Sequence, residues 1–254
     1  MRRRTDLVVL LVAVLVLVGV LLYALHRTSA KKTTGTPAAW VTDTFQRPDG
    51  SLAGQNVAGR TYAIQFDHAN TQLVIRNGRL VRGNPAHYGP KGAPVLIVPN
   101  PTEPGVVAER YVFTAGQTMN ENVVVGACAT AFGASSIQLA VYPDHWLLYY
   151  TLKVPPPGTG ALVHELATGT FPHPLATDGR TVYQSAMRVD LPNSSVTVEY
   201  PGGSRTVTNP VIAQYWGKLM GIQIRHPQPT DGDVQILAIQ DGPTSLQPFA
   251  AGPK

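Results

Sequence analysis

Cysteine is nearly absent from this sequence, because Cys128 is the only one among 254 residues. A single cysteine excludes an intrachain disulfide. It lies in the apolar stretch NVVVGACATAFG, which predicts a buried thiol that packs as a small hydrophobic side chain. No basic partner adjoins it in the sequence, so nothing indicates a reactive thiolate.

Several catalytic and metal-binding patterns are missing as well. The seven histidines show neither H-x-x-x-H nor H-x-H spacing, which argues against a zinc site. The sequence contains no G-x-S-x-G motif of a serine nucleophile. It also contains no G-x-x-x-x-G-K-[ST] loop that would cradle phosphate. These absences remove the most recognisable classes of hydrolase and nucleotide-binding protein from consideration.

A net positive charge is absent from most of the chain. Residues 1–32 carry six Lys/Arg and one Asp, whereas residues 33–254 carry fourteen Lys/Arg and fourteen Asp/Glu. The net charge of +5 therefore belongs to the N-terminus. Nucleic-acid binding needs a basic face on the domain itself, so no nucleic-acid partner is predicted.

One long hydrophobic run is present. Leu7–Leu25 reads LVVLLVAVLVLVGVLLYAL, nineteen residues without a charge. As a helix it would span roughly 28 Å, close to the hydrocarbon thickness of a bilayer. Three arginines at positions 2–4 place residues 1–6 in the cytoplasm by the positive-inside rule, although basic residues also follow the run. We expect a single-pass cell-membrane protein with an extracytoplasmic body. The alternative is a cleaved signal peptide, whose apolar region is usually ~7–15 residues.

The body after the anchor predicts an all-β fold. Residues 26–39 form a small, polar linker, residues 40–245 a β-sandwich domain and residues 246–254 a C-terminal tail. No segment of the body shows sustained helical spacing of apolar residues. Short apolar runs instead alternate with Gly, Pro, Asn and Asp. The predicted strands are 62–66, 72–75, 79–81, 95–98, 106–113, 122–132, 136–142, 146–154, 181–190, 194–200, 204–208, 218–225 and 234–240.

Alternation within these runs predicts how the strands pack. In Trp146–Val154 the even-numbered positions are all apolar, whereas the odd-numbered positions include Thr151 and Lys153. One-sided burial of this kind is typical of antiparallel sheets packed face to face. The sequence therefore predicts an antiparallel β-sandwich or jelly roll, preceded by one transmembrane helix.

The start of the body resembles a known fold family. The segment Asp43–Gly54, DTFQRPDGSLAG, matches the D-x-F-x-R-x-D-G-x-L-x-G opening of bacterial and phage domains with the concanavalin A-like lectin/glucanase fold, of the LamG-like type. The hairpin IRNGRL and the C-terminal strands GKLMGIQIRH and DVQILAIQ also resemble that family. The resemblance implies a fold more than a function. The opening motif itself indicates a structural staple, in which Asp43 and Arg47 pair locally.

Catalysis in this family depends on two carboxylates. Its glucanases carry them in an E-x-D-x-x-E string, which this sequence lacks. A hydrolase needs two carboxyls roughly 5–9.5 Å apart. Asp190 and Glu199, on neighbouring predicted strands, are the pair that an enzyme would use. The sequence does not otherwise indicate catalysis.

Seven side chains are candidates for ligand binding, because sugar-binding sheets present aromatic rings beside polar groups. They are His145, Tyr149, Gln184, Arg188, Trp216, Gln223 and Arg225. A place in the core is the alternative for each aromatic residue. Asp231 and Asp233 could hold Ca²⁺ in a loop, or could be two solvated carboxylates of a turn. No other cofactor is predicted.

Together these features favour a binding module over an enzyme. We expect a membrane-anchored extracytoplasmic β-sandwich that binds a cell-envelope glycan or an envelope protein. One alternative is an extracytoplasmic glycoside-active enzyme with a non-standard carboxylate pair. The other is a structural or assembly subunit of an envelope complex. Scarce lysine beside abundant arginine, alanine and valine is typical of a high-GC bacterium such as an actinobacterium.

Overall fold

A computed structural model describes residues 41–57, 60–65, 73–83, 95–99, 103–130, 135–152, 162–225, 230–245 and 247–249. The predicted membrane span at 7–25 and the predicted linker at 26–39 lie outside these residues, as do the ends of the chain. Within the described part of the chain, no helix is both long enough and apolar enough to cross a bilayer.

The described residues form eighteen strands and one short helix. In chain order the strands are β1 Val41–Asp43, β2 Gly50–Ser51, β3 Asn56–Val57, β4 Arg60–Thr61, β5 Ala63–Gln65, β6 Leu73–Arg76, β7 Arg79–Arg82, β8 Val95–Pro99, β9 Val106–Phe113, β10 Asn122–Cys128, β11 Ser135–Val141, β12 His145–Leu152, β13 Leu162–Thr170, β14 Tyr183–Asp190, β15 Ser195–Tyr200, β16 Gly203–Thr208, β17 Leu219–Arg225 and β18 Val234–Gly242. The helix, α1, spans Pro210–Tyr215 between β16 and β17.

The strands make two large antiparallel sheets and a small hairpin. The nine-stranded sheet has the order β16-β15-β14-β9-β18-β7-β6-β2, with β1 also paired to β18. The seven-stranded sheet has the order β13-β12-β11-β10-β17-β8-β5, and β3 and β4 form a separate hairpin. This arrangement confirms the prediction of an all-β, antiparallel sandwich.

The core lies between the two large sheets. On β12 the side chains of Trp146 and Leu148 enter it, whereas Leu147 and Tyr149 belong to a separate cluster on the opposite face. The indole of Trp146 stacks on the ring of Tyr200 from the nine-stranded sheet, with 4.6 Å between ring centroids. The period-2 alternation in the sequence therefore gave the correct inward face, because successive side chains of a strand point to opposite sides.

The opening motif is a structural staple, as its residues indicated. The guanidinium of Arg47 donates two hydrogen bonds to the carboxylate of Asp43, at 2.8 and 2.9 Å. The hydroxyl of Tyr62 and the backbone N–H of Phe45 donate to the same carboxylate. Burial alone would raise the pKa of Asp43, but these hydrogen bonds outweigh it and the pKa is lowered. The network holds Phe45, whose φ of 55° is unusual for a bulky residue, with its side chain in the core.

The β6–β7 hairpin also matches its sequence signal. Asn77 and Gly78 occupy the turn with φ angles of 52° and 68°, the left-handed pair that Asn-Gly favours in tight hairpins. Asp49 accepts a hydrogen bond from the N–H of Asn77 at 2.8 Å, and the amide of Gln46 donates to the carbonyl of Gly78 at 3.0 Å. The opening motif therefore fixes the position of this turn.

The sequence prediction missed the short strands β1 to β4, the strand β13 and the helix α1. Strand β13, Leu162–Thr170, lies at the edge of its sheet and most of its side chains are exposed. Its sequence therefore lacks the apolar alternation that would have predicted a strand. The helix α1 is only six residues long, too short for helical periodicity to show. Its signal was a cap: Asn209 accepts a hydrogen bond from the N–H of Val211, and Pro210 follows at the first helical turn.

Candidate functional site

Four of the seven predicted binding residues lie on one surface. This surface is the face of the seven-stranded sheet that points away from the core, called here the outer face. Neighbouring strands align its side chains in four rows. In the first row the N–H of Tyr142 donates to the carbonyl of His145 at 2.9 Å, and Asn122 pairs with Arg225. The second row joins Leu147, Ala140, Val124 and Gln223. The third joins Tyr149, Gln138, Gly126 and Gly221, and the fourth Thr151, Ser136, Cys128 and Leu219.

Tyr149 belongs to a buried hydrogen-bond network on this face. Its hydroxyl donates to Oε1 of Gln138 at 2.6 Å, and Nε2 of Gln138 donates to the hydroxyls of Ser136 at 2.6 Å and Thr151 at 3.2 Å. The two hydroxyls also bond to each other at 2.7 Å. Burial raises the pKa of Tyr149, so its phenol stays neutral and remains a donor. The network fixes the amide of Gln138 in one orientation and forms the floor of the surface.

In the first row His145, Tyr142 and Arg225 are partly exposed, whereas Asn122 is buried. The imidazole of His145 stacks on the ring of Tyr142, with 4.0 Å between centroids, and lies 2.6 Å from a carboxylate oxygen of Asp144 through Nδ1. Burial raises the pKa of Tyr142, while the positive charge of Arg225 acts to lower it. The row therefore combines flat rings with several hydrogen-bonding groups.

The breadth of this row suits a small ligand. His145 and Arg225 are separated by three strand-to-strand steps, about 14 Å at the usual spacing. Gln223 lies in the adjacent row, two residues before Arg225 on the same strand. An aromatic pair at one end and a guanidinium and an amide at the other can stack on a sugar ring and bond to its hydroxyls. Sequence reasoning missed Tyr142 and Gln138. Each is two residues from Ala140, so both side chains point to the same face of the sheet as Ala140.

Gln184 and Arg188 lie elsewhere, on the nine-stranded sheet. The amide of Gln184 donates to the carbonyl of Pro248 at 3.3 Å, and the guanidinium of Arg188 donates to the carbonyl of Thr244. On the same face, Arg110 donates to the carbonyl of Phe249 at 2.9 Å. These side chains hold C-terminal residues against the sheet, and they are not adjacent to the outer face of the seven-stranded sheet.

Trp216 is a core residue. Only 3 % of it is exposed, and its indole N–H donates to the carbonyl of Pro104 at 2.7 Å. It directly follows α1, and the helix brings it between the sheets. The structure thus places Trp216 in the core and not on the outer face.

The register of β14 and β15 separates the two candidate acids. Asp190 pairs with Ser195, and Glu199 lies four residues further along β15, about 14 Å at the rise of an antiparallel strand. Glu199 contacts the guanidinium of Arg188 at 3.6 Å, whereas Asp190 accepts a hydrogen bond from Asn193. Their backbone separation exceeds the roughly 5–9.5 Å of a glycosidase carboxyl pair, and each carboxylate is directed at another side chain.

The possible calcium ligands have protein partners. Asp231 accepts a hydrogen bond from the hydroxyl of Thr118. Asp233 accepts hydrogen bonds from Nε and Nη2 of Arg82, at 3.1 Å each. Among the residues that the structure describes, no group of three His, Cys, Asp or Glu side chains is placed to hold a metal ion. A calcium site at this loop stays a prediction.

Comparison with known proteins identifies the fold. No protein-family model matches the sequence, and no curated protein sequence matches it. Among solved structures, β-agarase A in complex with oligoagarose superposes with a TM-score of 0.53 at 12 % identity, over 82 % of this chain and 97 % of that chain. The fold is that of the concanavalin A-like lectins and glucanases.

Two further solved structures share this similarity at lower scores. LamAcat from Zobellia galactanivorans has a TM-score of 0.48 at 10 % identity, over 82 % of this chain and 98 % of that chain. The lectin UEA-II complexed with galactose has a TM-score of 0.47 at 8 % identity, over 82 % of this chain and 99 % of that chain.

Proposed function

We propose that this chain is a membrane-anchored, extracytoplasmic β-sandwich that binds a cell-envelope glycan on the outer face of its seven-stranded sheet. The observation that carries the proposal is the row from His145 through Tyr142 to Arg225, with Gln223 beside it. β-Agarase A, which has the same fold, was solved with oligoagarose bound. Fold similarity alone does not transfer a ligand, so the chemistry of this row is the main support.

The glycan assignment is tested by co-sedimentation of the full chain, in detergent, with purified cell-wall polysaccharide. Replacing Arg225 with Ala removes the guanidinium at the end of the row and should weaken binding about tenfold, the effect of one charge-assisted hydrogen bond. Lys218→Ala is the matched control. It removes one exposed positive charge at the other end of the same sheet, about 24 Å away along β17. We expect this control to bind as the unaltered chain does.

The two variants separate a specific site from general attraction. Equal weakening by both substitutions would show that the polysaccharide is held by charge alone and would refute the proposed row. If the unaltered chain does not co-sediment with the polysaccharide, the glycan proposal fails. Docking of an envelope protein on the same face is then the reading to pursue.

The membrane assignment rests on the uncharged run Leu7–Leu25 and is tested separately. Bacterial membranes carrying the chain are washed with alkaline carbonate, which removes peripheral proteins. A double substitution, Leu15→Arg with Leu17→Arg, places two charges at the centre of the span, each costing about 3 kcal/mol in insertion. We expect the unaltered chain to stay in the membrane and the variant to be released. Protease added to the outer surface should digest the body, and a protected body would refute the proposed topology.

A further inference from the structure

A second surface feature lies on the nine-stranded sheet, beside the β6–β7 hairpin. It is a cavity of about 490 Å³. Its lining residues are mainly cationic or amide-bearing: Arg76, Asn77, Arg79, Val81, Arg82, Asp233 and Gln235. Because it belongs to the other sheet, this cavity is separate from the outer face proposed above to bind glycan.

Two arginines face each other across the hairpin. Arg76 and Arg79 are directly paired in the β6–β7 register. Like charges directly opposite on neighbouring strands destabilise a hairpin. The turn between them is nevertheless held in place by Asp49 and Gln46, through the hydrogen bonds described above. No acidic side chain of the described residues forms a salt bridge with either arginine.

Few donors of these arginines are used by the residues that the structure describes. Arg79 donates through Nη1 to Oε1 of Gln235 at 2.5 Å, and Arg76 reaches the carbonyl of Gly83 at 3.5 Å. A guanidinium carries five N–H donors, so each side chain retains capacity for an acceptor in the cavity.

Asp233 does not neutralise the facing pair. Its two carboxylate oxygens accept from Arg82, which is only 5 % exposed. Three arginines and one aspartate leave the lining with a net charge of +2. Residues 33–254 are neutral by count, so this positive charge is concentrated at the cavity and does not reflect a basic domain.

We propose that this cavity binds an anionic sugar unit, whose carboxylate or phosphate group contacts Arg76 and Arg79. The planar fork of a guanidinium matches both oxyanions. The volume falls within the range of small-molecule sites and exceeds what a bare ion needs. The amides of Asn77 and Gln235 can bond to hydroxyl groups, and Val81 offers an apolar contact for the ring.

The test is isothermal titration of the full chain, in detergent at low salt, with glucuronate, glucose 6-phosphate, glucose and inorganic phosphate. We expect one anionic sugar to bind at least tenfold more tightly than glucose. Which of the two binds shows whether carboxylate or phosphate is preferred. Equal affinity for glucose would overturn the proposal. Inorganic phosphate binding as tightly as the sugars would overturn its saccharide part and leave a simple anion site.

Variants assign the binding to the facing pair. Arg76→Gln and Arg79→Gln should each weaken binding of the preferred anionic sugar at least tenfold. Their melting temperatures should be unchanged or raised, because each substitution removes a like-charge contact. Arg205→Gln is the matched control and should leave the affinity unchanged, because Arg205 is an exposed arginine on β16, five strand-to-strand steps from β7 in the same sheet. Unaltered affinity in the two cavity variants, or an equal loss in the control, would overturn the assignment.

Discussion

Glu121 offers a direct test of the electrostatics of this fold. Its side chain is fully buried beside the start of β10, and neither carboxyl oxygen has a well-aligned hydrogen-bond partner among the described residues. Burial raises the pKa of Glu121 from 4.5 to about 7; backbone amides of Glu121 and Gly232 act to lower it, and the negative charge of Asp231 adds to the rise. The folded protein therefore holds a proton on this carboxyl more tightly than the unfolded chain does.

The raised pKa has a definite effect on stability. Below about pH 4.5 the carboxyl is protonated in both states and carries no penalty. As the pH rises from 4.5 through about 7, the unfolded chain ionises first, so the folded state loses stability relative to it. The full loss, reached above pH 7, is about 3 kcal/mol at 1.4 kcal/mol per pKa unit. Glu121→Gln keeps the shape of the side chain but removes the titration.

Urea unfolding followed by tryptophan fluorescence measures this difference, since Trp146 and Trp216 are buried in the core. The variant and the unaltered chain should have similar free energies of unfolding at pH 4.5. At pH 8 the variant should be more stable by about 3 kcal/mol. Glu103→Gln, at an exposed position, is the control whose difference should not vary with pH. A Glu121→Gln effect that stays constant between pH 4.5 and 8 would refute the reasoning.

Two more predictions follow from buried groups. Arg60→Ala removes the guanidinium that bonds to both carboxylate oxygens of the buried Asp241, at 2.7 and 2.8 Å. In urea titrations this substitution should lower the free energy of unfolding by about 3–5 kcal/mol, and a loss below 1 kcal/mol would contradict this. The thiol of Cys128 is fully buried, and this burial raises its pKa. The thiol should therefore react with a thiol reagent only after the protein unfolds. Rapid labelling of the native protein at pH 8 would show that the thiol is not buried.

Local patterns predicted the strands and their inward faces well. β9, Val106–Phe113, was predicted with its observed bounds, because apolar patterns and turn signals act within a few residues. The β6–β7 hairpin was expected from the resemblance of IRNGRL to the fold family, and its Asn77-Gly78 turn has the φ angles of a tight hairpin. Strand β13 escaped because an exposed edge strand is stabilised by its neighbour and needs no apolar face of its own.

The site was predicted only in part, because residue type does not specify a surface. Gln184 and Gln223 are both glutamines on central strands. Gln184 nevertheless bonds to the C-terminal segment, whereas Gln223 lies on the outer face of the seven-stranded sheet. Trp216 has an aromatic ring of the kind that stacks on sugars, but it directly follows a short helix that positions it in the core. Asp190 and Glu199 lie on neighbouring strands, and only the register shows how far apart they are.

The amino-acid sequence by itself determined that the body is a neutral, β-rich sandwich with an apolar face on most of its longer strands, and that its N-terminus contains a run long enough to span a bilayer. These properties follow from composition and from periods of a few residues. Only the tertiary structure decided which polar side chains meet, because strand order and register bring together residues as distant as Tyr142 and Arg225, or Arg82 and Asp233. Hydrogen bonds between strands, rather than spacing along the chain, set those distances.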